Sequence, residues 1–212
     1  MDSSNIYIGF ALATFAGLST GIGSFLGLYS KFENKRLLSI AIGFAAGIML
    51  YVSFVELLKL SFEDLSLLYG PTTGSLIGVV AFIVGLLTML FIDQLFDHHS
   101  IADFISRSSD KNETALIRTG VFSAIALAIH NFPEGFATFT AAVYDPTVGA
   151  TLAFAIAIHN IPEGLAVSVP IYYATKDKSK AFWISFCSGL AEPLGALIGF
   201  LVFSTVYNPA LF

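Results

Sequence analysis

The 212-residue sequence has few charged residues: Asp, Glu, Lys and Arg together make up 12% of it, whereas 56% of its residues are hydrophobic. A soluble globular domain carries about 25% charged residues. This deficit argues against a soluble protein and indicates that a lipid bilayer surrounds most of the chain. The sequence also lacks any block of basic residues, so nucleic acid is not an expected partner.

Cysteine is equally scarce, since Cys187 is the only one. A single cysteine cannot form an internal disulfide bond or a Cys-x-x-Cys metal site. We therefore expect neither thiol redox chemistry nor a thiolate cage, and Cys187 is predicted to pack as a small apolar side chain. No G-x-x-x-x-G-K-[ST] loop is present, which argues against nucleotide hydrolysis. No basic region precedes the first apolar stretch, which argues against a cleaved signal peptide.

The sequence does contain six apolar runs of about 20 residues or more, the length that crosses a bilayer core of ~30 Å. These runs lack the alternation of barrel strands, and only helices or closed barrels satisfy the backbone in lipid. The expected fold class is an all-α membrane protein in which residues 1–212 form a single polytopic domain, with a cytoplasmic variable loop at about 93–114. The six predicted spans, numbered in chain order, are Ile6–Leu28, Leu37–Leu60, Thr73–Ile92, Ala115–Val143, Val148–Tyr173 and Ala181–Val206.

The basic residues predict the orientation of these spans. Of the ten lysines and arginines, only Lys59, beside two acidic residues, is predicted on one side of the membrane. The positive-inside rule then places both termini on the non-cytoplasmic side of the plasma membrane, which for a bacterium is the inner membrane. The other nine follow spans one, three and five: Lys31, Lys35, Arg36, Arg107, Lys111, Arg118, Lys176, Lys178 and Lys180.

One six-residue pattern occurs twice: His130-Asn131-Phe132-Pro133-Glu134-Gly135 in span four returns 29 residues later as His159-Asn160-Ile161-Pro162-Glu163-Gly164 in span five. In each copy, histidine and glutamate stand at i and i+4 on one helix face, and asparagine projects about 100° away. An acidic residue at a helix centre costs roughly 2.5–3.5 kcal/mol on insertion scales and marks an ion or substrate pathway. Spans four and five run in opposite directions, so the two copies should face each other near the midplane, as in transporters.

Span six adds a further buried carboxylate in Ala191-Glu192-Pro193. Carboxylate, imidazole and amide groups suit Zn²⁺, Fe²⁺, Mn²⁺ and Co²⁺, whereas the absence of thiolates and the scarcity of methionine argue against Cu⁺. Pro133 and Pro162 have no N–H and should leave helix carbonyls free for water or a cation. The candidate metal ligands are His130, Asn131, Glu134, His159, Asn160, Glu163 and Glu192.

Three further features have alternative interpretations. Glu56 in span two either contacts the ion route or caps a neighbour near the outer end of its helix. His98 and His99, in the polar loop, either hold metal loosely or belong to a solvated linker. Six glycines in spans one and two are predicted to be close-packing positions between helices: Gly17, Gly21, Gly23, Gly27, Gly43 and Gly47.

The two His-Asn-x-Pro-Glu-Gly motifs, followed by Ala191-Glu192-Pro193, resemble the signatures of spans four, five and six in the ZIP (Zrt-, Irt-like) metal transporters. The resemblance extends over essentially the whole chain. It implies a binuclear site, with one ion held by His130, Glu134, His159 and Glu163. The second ion would be held by Asn131, Glu134, Asn160, Glu163 and Glu192.

The resemblance also implies that spans one, four, five and six form a moving domain. Other ZIP members carry Gln-Asp where this chain has His159-Asn160, so the second site here would have one carboxylate fewer. ZIP proteins have eight spans, and this sequence stops at Phe212, about where span seven should begin. The last two spans, which would belong to the scaffold against which the moving domain slides, are therefore expected to be missing. Either the chain is truncated or a partner completes the scaffold.

The predicted function is uptake of divalent transition-metal ions into the cytoplasm by alternating access, with zinc foremost and iron, manganese, cobalt and cadmium as further substrates. The ion is the transported substrate, and no prosthetic group is expected. Expected partners are these ions, the lipid bilayer and a second copy of the chain in a homodimer. The alternative interpretation is a gated divalent-cation channel. An enzyme is not expected, since an intramembrane zinc hydrolase would often show His-Glu-x-x-His, which is absent.

Overall fold

The structure, a computed structural model, describes residues 3–29, 35–95 and 111–206. These residues are almost entirely helical and contain no strand, which confirms the all-α fold class. The helices are α1 (Ser3–Tyr29), α2 (Lys35–Tyr51), a π-helical segment (Val52–Leu57), α3 (Leu58–Tyr69), α4 (Pro71–Leu95), α5 (Lys111–Tyr144), α6 (Pro146–Thr175), α7 (Lys178–Gly189) and α8 (Ala191–Val206).

These elements form six helical rods, because α2 continues through the π-helical segment into α3, and only Leu190 separates α7 from α8. Helix α5, the fourth rod in chain order, carries His130, Asn131 and Glu134 in its middle. Its crossing of the membrane stays a prediction, as do the membrane boundaries of all six spans. The other five are long and apolar enough to cross a membrane over Ser3–Tyr29, Gly43–Tyr69, Pro71–Phe91, Pro146–Thr175 and Lys178–Thr205.

Helices α5 and α6 form a tight hairpin in which Asp145 is the only residue between them. The carboxylate of Asp145 accepts a hydrogen bond of 2.7 Å from the backbone N–H of Thr147, and Pro146 occupies the first position of α6. An aspartate cap and a proline at this position both favour the start of a helix. The short turn makes the two helices antiparallel neighbours, as the sequence predicts.

Helices α1, α5, α6, α7 and α8 pack into one compact unit. In the crossing of α1 with α6, a Cβ atom built at Gly23 would overlap the carbonyl oxygen of Ile161. A Cβ atom built at Gly164 would likewise overlap the carbonyl oxygen of Thr20. The two backbones therefore touch directly, which only glycine at both positions allows.

The crossing of α5 with α8 is built in the same way. A Cβ atom built at Gly195 would overlap the carbonyl oxygen of Phe132, and one built at Gly135 would overlap the carbonyl oxygen of Glu192. Gly135 and Gly164 are equivalent positions in the repeated motif. The relation between α1 and α6 is thus repeated between α8 and α5, and the unit has an internal pseudo-two-fold arrangement.

Close packing is confirmed for Gly17, Gly21, Gly23 and Gly27, each of which has neighbouring atoms where a Cβ atom would lie. The prediction is wrong for Gly43 and Gly47, which have no atom of the described residues within 4 Å of that position. Cys187 is also exposed rather than packed.

A second compact unit, Ala46–Asp97, contains the π-helical segment, α3 and α4. Gly70 has a φ of 82°, in the left-handed region that glycine favours, and it separates α3 from Pro71 at the start of α4. The rings of Phe54 and Phe82 pack with centroids 5.6 Å apart. Glu56 lies in the π-helical segment and is exposed.

The glycine crossings generate a stability prediction. Gly23→Ala should lower the melting temperature of the purified chain in detergent by several degrees. The added methyl group meets rigid backbone at Ile161, and overpacking costs about 1–3 kcal/mol. The matched control is Gly85→Ala in α4, where no described atom lies within 4 Å of the new Cβ. A Gly23→Ala chain that melts at or above the wild-type temperature would contradict the direct backbone contact.

Candidate metal centre

The repeated motif lies in the middle of α5 and of α6, and both helices continue through Pro133 and Pro162. Glu192 lies in the first turn of α8, immediately before Pro193. All seven candidate ligands therefore belong to the compact unit formed by α1 and α5 to α8.

Glu134 links the two copies of the motif. Its Oε1 lies 3.0 Å from Nε2 of His130 on its own helix and 3.2 Å from Nε2 of His159 on α6. The two imidazole rings have centroids 6.4 Å apart. One carboxylate thus contacts both histidines, as a bridging ligand of a metal site would.

A second carboxylate completes the group. Ligand atoms of His130, His159 and Glu163 all lie within 4.8 Å of one another, which is close enough for one metal ion to contact all three. Two imidazoles and a carboxylate are a typical donor set for zinc. The side chain of His159 is 2% exposed and that of His130 is 39% exposed, so the histidine of the second motif is the more deeply buried of the two.

The asparagines attach the motif to the neighbouring helices. The amide of Asn160 donates to the carbonyl oxygen of Ala16 at 3.0 Å and also to Oε1 of Glu192. The amide of Asn131 donates to the carbonyl oxygen of Ser188 at 3.3 Å. Among the described residues, Asn131 has no hydrogen bond to another candidate ligand, whereas Asn160 is paired directly with Glu192.

Several buried atoms of these side chains have no hydrogen-bond partner among the described residues. An unpaired buried polar group costs about 1–3 kcal/mol, so a cluster of them calls for a ligand that they can bind in common. A divalent cation would satisfy the oxygens and offset the negative charge of three neighbouring carboxylates. The unpaired atoms are Asn131 Oδ1, His159 Nδ1, Asn160 Oδ1, Glu163 Oε2 and Glu192 Oε2.

The sequence interpretation missed a cluster of hydroxyl groups behind the motif. Ser24 on α1 donates to Oγ of Ser185 on α7 at 2.6 Å, and Ser185 donates to the carbonyl oxygen of Gly164 at 3.1 Å. Both serines are completely buried. They hold α1 and α7 against the end of the second motif. Small polar residues inside apolar spans, which favour close helix packing, were the signal that could have identified them.

Glu56, His98 and His99 were the other residues that the sequence suggested for contact with the ion. His98 and His99 fall outside the described residues, and Glu56 belongs to the second compact unit. Among the described residues, the seven candidate ligands lie on α5, α6 and α8, and their role as a metal centre stays a prediction.

Comparison with known proteins gives concordant matches. The ZIP Zinc transporter family model matches residues 97–210. The Zinc transporter ZupT of Chlorobium chlorochromatii is 46% identical over 216 residues, which cover 99% of this chain and 81% of that protein. The Zinc transporter ZupT of Chlorobium limicola is 49% identical, over 99% of this chain and 80% of the relative. That of Nitratidesulfovibrio vulgaris is 44% identical, over 100% of this chain and 81% of the relative.

The geometry of the centre predicts metal binding that depends on Glu134. The purified chain should bind Co²⁺, and Glu134→Gln should weaken this binding by about tenfold or more, since an amide cannot replace a carboxylate that contacts both histidines. Titration followed by the visible absorption of bound cobalt measures the effect. Glu63→Gln is the matched control, because Glu63 is exposed and paired only loosely with Lys59, at 3.8 Å. Equal cobalt affinity in the two variants would exclude Glu134 as a ligand.

Proposed function

Because the chain belongs to the ZIP zinc transporter family, we propose that it is a multi-pass membrane carrier that takes up divalent transition-metal ions, zinc foremost, into the cytoplasm. One observation carries the proposal: histidine and glutamate side chains from two antiparallel helices converge in the interior of a helical bundle. The relatives are named zinc transporters, and no catalytic role is proposed. The ion is the transported substrate.

The proposed centre is binuclear. One ion is bound by His130, Glu134, His159 and Glu163, and the contacts of 3.0 and 3.2 Å between Glu134 and the two histidines support this set. The second ion is bound by the two glutamates of the motif together with Asn131, Asn160 and Glu192. The unpaired oxygens of both asparagines and of Glu192 support the second set. Shared carboxylates between neighbouring ions are a common way to build a two-metal site.

Transport is proposed to occur by alternating access. The four predicted spans of the moving domain correspond to α1, α5, α6 and the rod of α7 and α8, and these helices form one compact unit. Direct backbone contacts at the glycine crossings tie this unit together, so it is suited to move as one body. A body that carries its own metal centre can present that centre first to one side of the membrane and then to the other.

Both termini are proposed to lie on the non-cytoplasmic side. The end of the unit where α1 stops and α7 begins carries lysines and tyrosines: the Nζ atom of Lys178 lies 4.3 Å from the ring centroid of Tyr29. Lys176 lies 5.3 Å from the ring centroid of Tyr173. Basic and aromatic residues of this kind are typical of a cytoplasmic membrane interface. Inward movement of a divalent cation then gains about 4.6 kcal/mol per 100 mV of membrane potential.

Zinc uptake into proteoliposomes tests the proposed function. The wild-type chain should accumulate isotopic zinc, and Glu163→Gln should reduce the initial rate by more than about tenfold because a proposed bridging ligand is lost. Glu63→Gln should transport at the wild-type rate. Wild-type rates in the Glu163→Gln chain, at matched protein density, would rule out the assignment of the site.

Exchange across the membrane distinguishes a carrier from a gated channel. Vesicles preloaded with unlabelled zinc should take up isotopic zinc several times faster than empty vesicles, because a loaded carrier returns with an ion from the inside. A channel has no such returning step. Uptake that does not saturate and is independent of preloading would favour the channel.

A further inference from the structure

The sequence of α1 contains a counterpart of the segment around Glu192. Gly17, Leu18 and Gly23 recur, with the same spacing, as Gly189, Leu190 and Gly195. In this alignment Thr20 stands where Glu192 stands in the second copy. The two segments are Ala16-Gly17-Leu18-Ser19-Thr20-Gly21-Ile22-Gly23 and Ser188-Gly189-Leu190-Ala191-Glu192-Pro193-Leu194-Gly195.

The helix crossings give the same correspondence independently. The carbonyl oxygen of Thr20 lies against Gly164 of the second motif, and the carbonyl oxygen of Glu192 lies against Gly135 of the first. Thr20 and Glu192 therefore occupy equivalent positions, each with its carbonyl oxygen against the glycine of one motif copy.

The asparagine contacts extend the correspondence to the side chains. Asn160 donates to the carbonyl oxygen of Ala16, and Asn131 donates to that of Ser188, which are aligned positions four residues before Thr20 and Glu192. Asn160 also pairs with Glu192. The pseudo-two-fold relation maps this pair onto Asn131 and Thr20.

The position of the Thr20 side chain agrees with this pairing. Its Oγ1 lies 2.9 Å from the place where a Cβ atom of Gly189 would stand. Gly189 follows Ser188, whose carbonyl oxygen binds the Asn131 amide at 3.3 Å. The Thr20 hydroxyl and the Asn131 side chain thus approach two adjacent residues of α7.

The hydroxyl of Thr20 is available for a ligand. A helical threonine usually donates back to the carbonyl four residues before it, as Thr140, Thr151 and Thr175 do here at 2.7 to 2.9 Å. For Thr20 that carbonyl belongs to Ala16, which already accepts from Asn160 at 3.0 Å and from Ser19 at 2.6 Å. Thr20 is 0% exposed, and its Oγ1 has no hydrogen-bond partner among the described residues.

We infer that Thr20 is a further residue of the proposed metal centre, whose hydroxyl holds a water ligand of the second ion beside Asn131. The inference rests on the proposed function. Asn131 Oδ1, like Thr20 Oγ1, is a buried neutral oxygen without a hydrogen-bond partner among the described residues. Where the symmetric position carries the negative charge of Glu192, Thr20 supplies a neutral group, and the second ion therefore keeps part of its hydration there.

Zinc uptake by Thr20 variants tests this role. Thr20→Val keeps the shape of the side chain and removes the hydroxyl. It should raise the half-saturating zinc concentration about five- to tenfold, the effect of losing one hydrogen bond to a group polarised by charge. Thr20→Ser restores the hydroxyl and should stay within about twofold of wild type. Thr151→Val is the matched control, because the hydroxyl of Thr151 is exposed and bonded within its own helix at 2.9 Å.

Other results contradict the inference in distinguishable ways. If the wild-type chain transports and Thr20→Val has the wild-type half-saturating concentration, the inference fails and the proposed function stands. If Thr20→Val and Thr20→Ser both lower only the maximal rate and the melting temperature, Thr20 is a packing residue and the inference also fails. If the wild-type chain neither takes up zinc nor binds cobalt, the proposed function fails and the inference falls with it.

Discussion

The structure depends on bringing three carboxylates, two amides and two imidazoles together within an apolar helical bundle, where Asn131, His159, Asn160 and Glu192 are buried. Such groups are tolerated in a membrane protein only when they are paired with one another, with the backbone or with a cation. Here Glu134 pairs with both histidines, and Asn160 pairs with Glu192. Glycine at the helix crossings brings the backbones close enough for these short side chains to meet. The arrangement of the candidate metal ligands therefore depends on the close packing at the glycine crossings.

The internal symmetry of the unit includes its backbone and the side chains of the repeated motif, but not the side chains at the two ends of the bundle. At one end, Ala13, Phe139 and Ala196 form an apolar cluster. The corresponding residues at the other end are Ser185, Ser168 and Ser24, all completely buried, two of which are hydrogen-bonded to each other. One phenylalanine ring and two alanine methyl groups at one end thus correspond to three serine hydroxyl groups at the other. The two ends of the bundle differ in polarity although the same helix crossings form both of them.

The sequence predicted much of this arrangement because its strongest signals are local. Apolar run length indicated the helices, and the repeated motif, read with the short turn at Asp145, indicated that His130 and His159 face each other. Sequence spacing could not show that Glu134 would contact both histidines, since this depends on the angle between α5 and α6. Nor could it separate the packed Gly23 from the open Gly43, because both follow the same small-residue pattern. The counterpart of Glu192 in α1 was missed because the shared glycine and leucine spacing is short and threonine differs from glutamate in charge and length, and the helix crossings make the correspondence plain.

Anomalous diffraction at the zinc edge, from crystals of the zinc-loaded chain, tests the central claim most directly. The account predicts a zinc signal between α5 and α6 at about 2.0–2.1 Å from nitrogen atoms of His130 and His159. It also predicts a second signal beside Asn131, Asn160 and Glu192. Zinc confined to exposed carboxylates or to the segment with His98 and His99, and absent between the two helices, would contradict it.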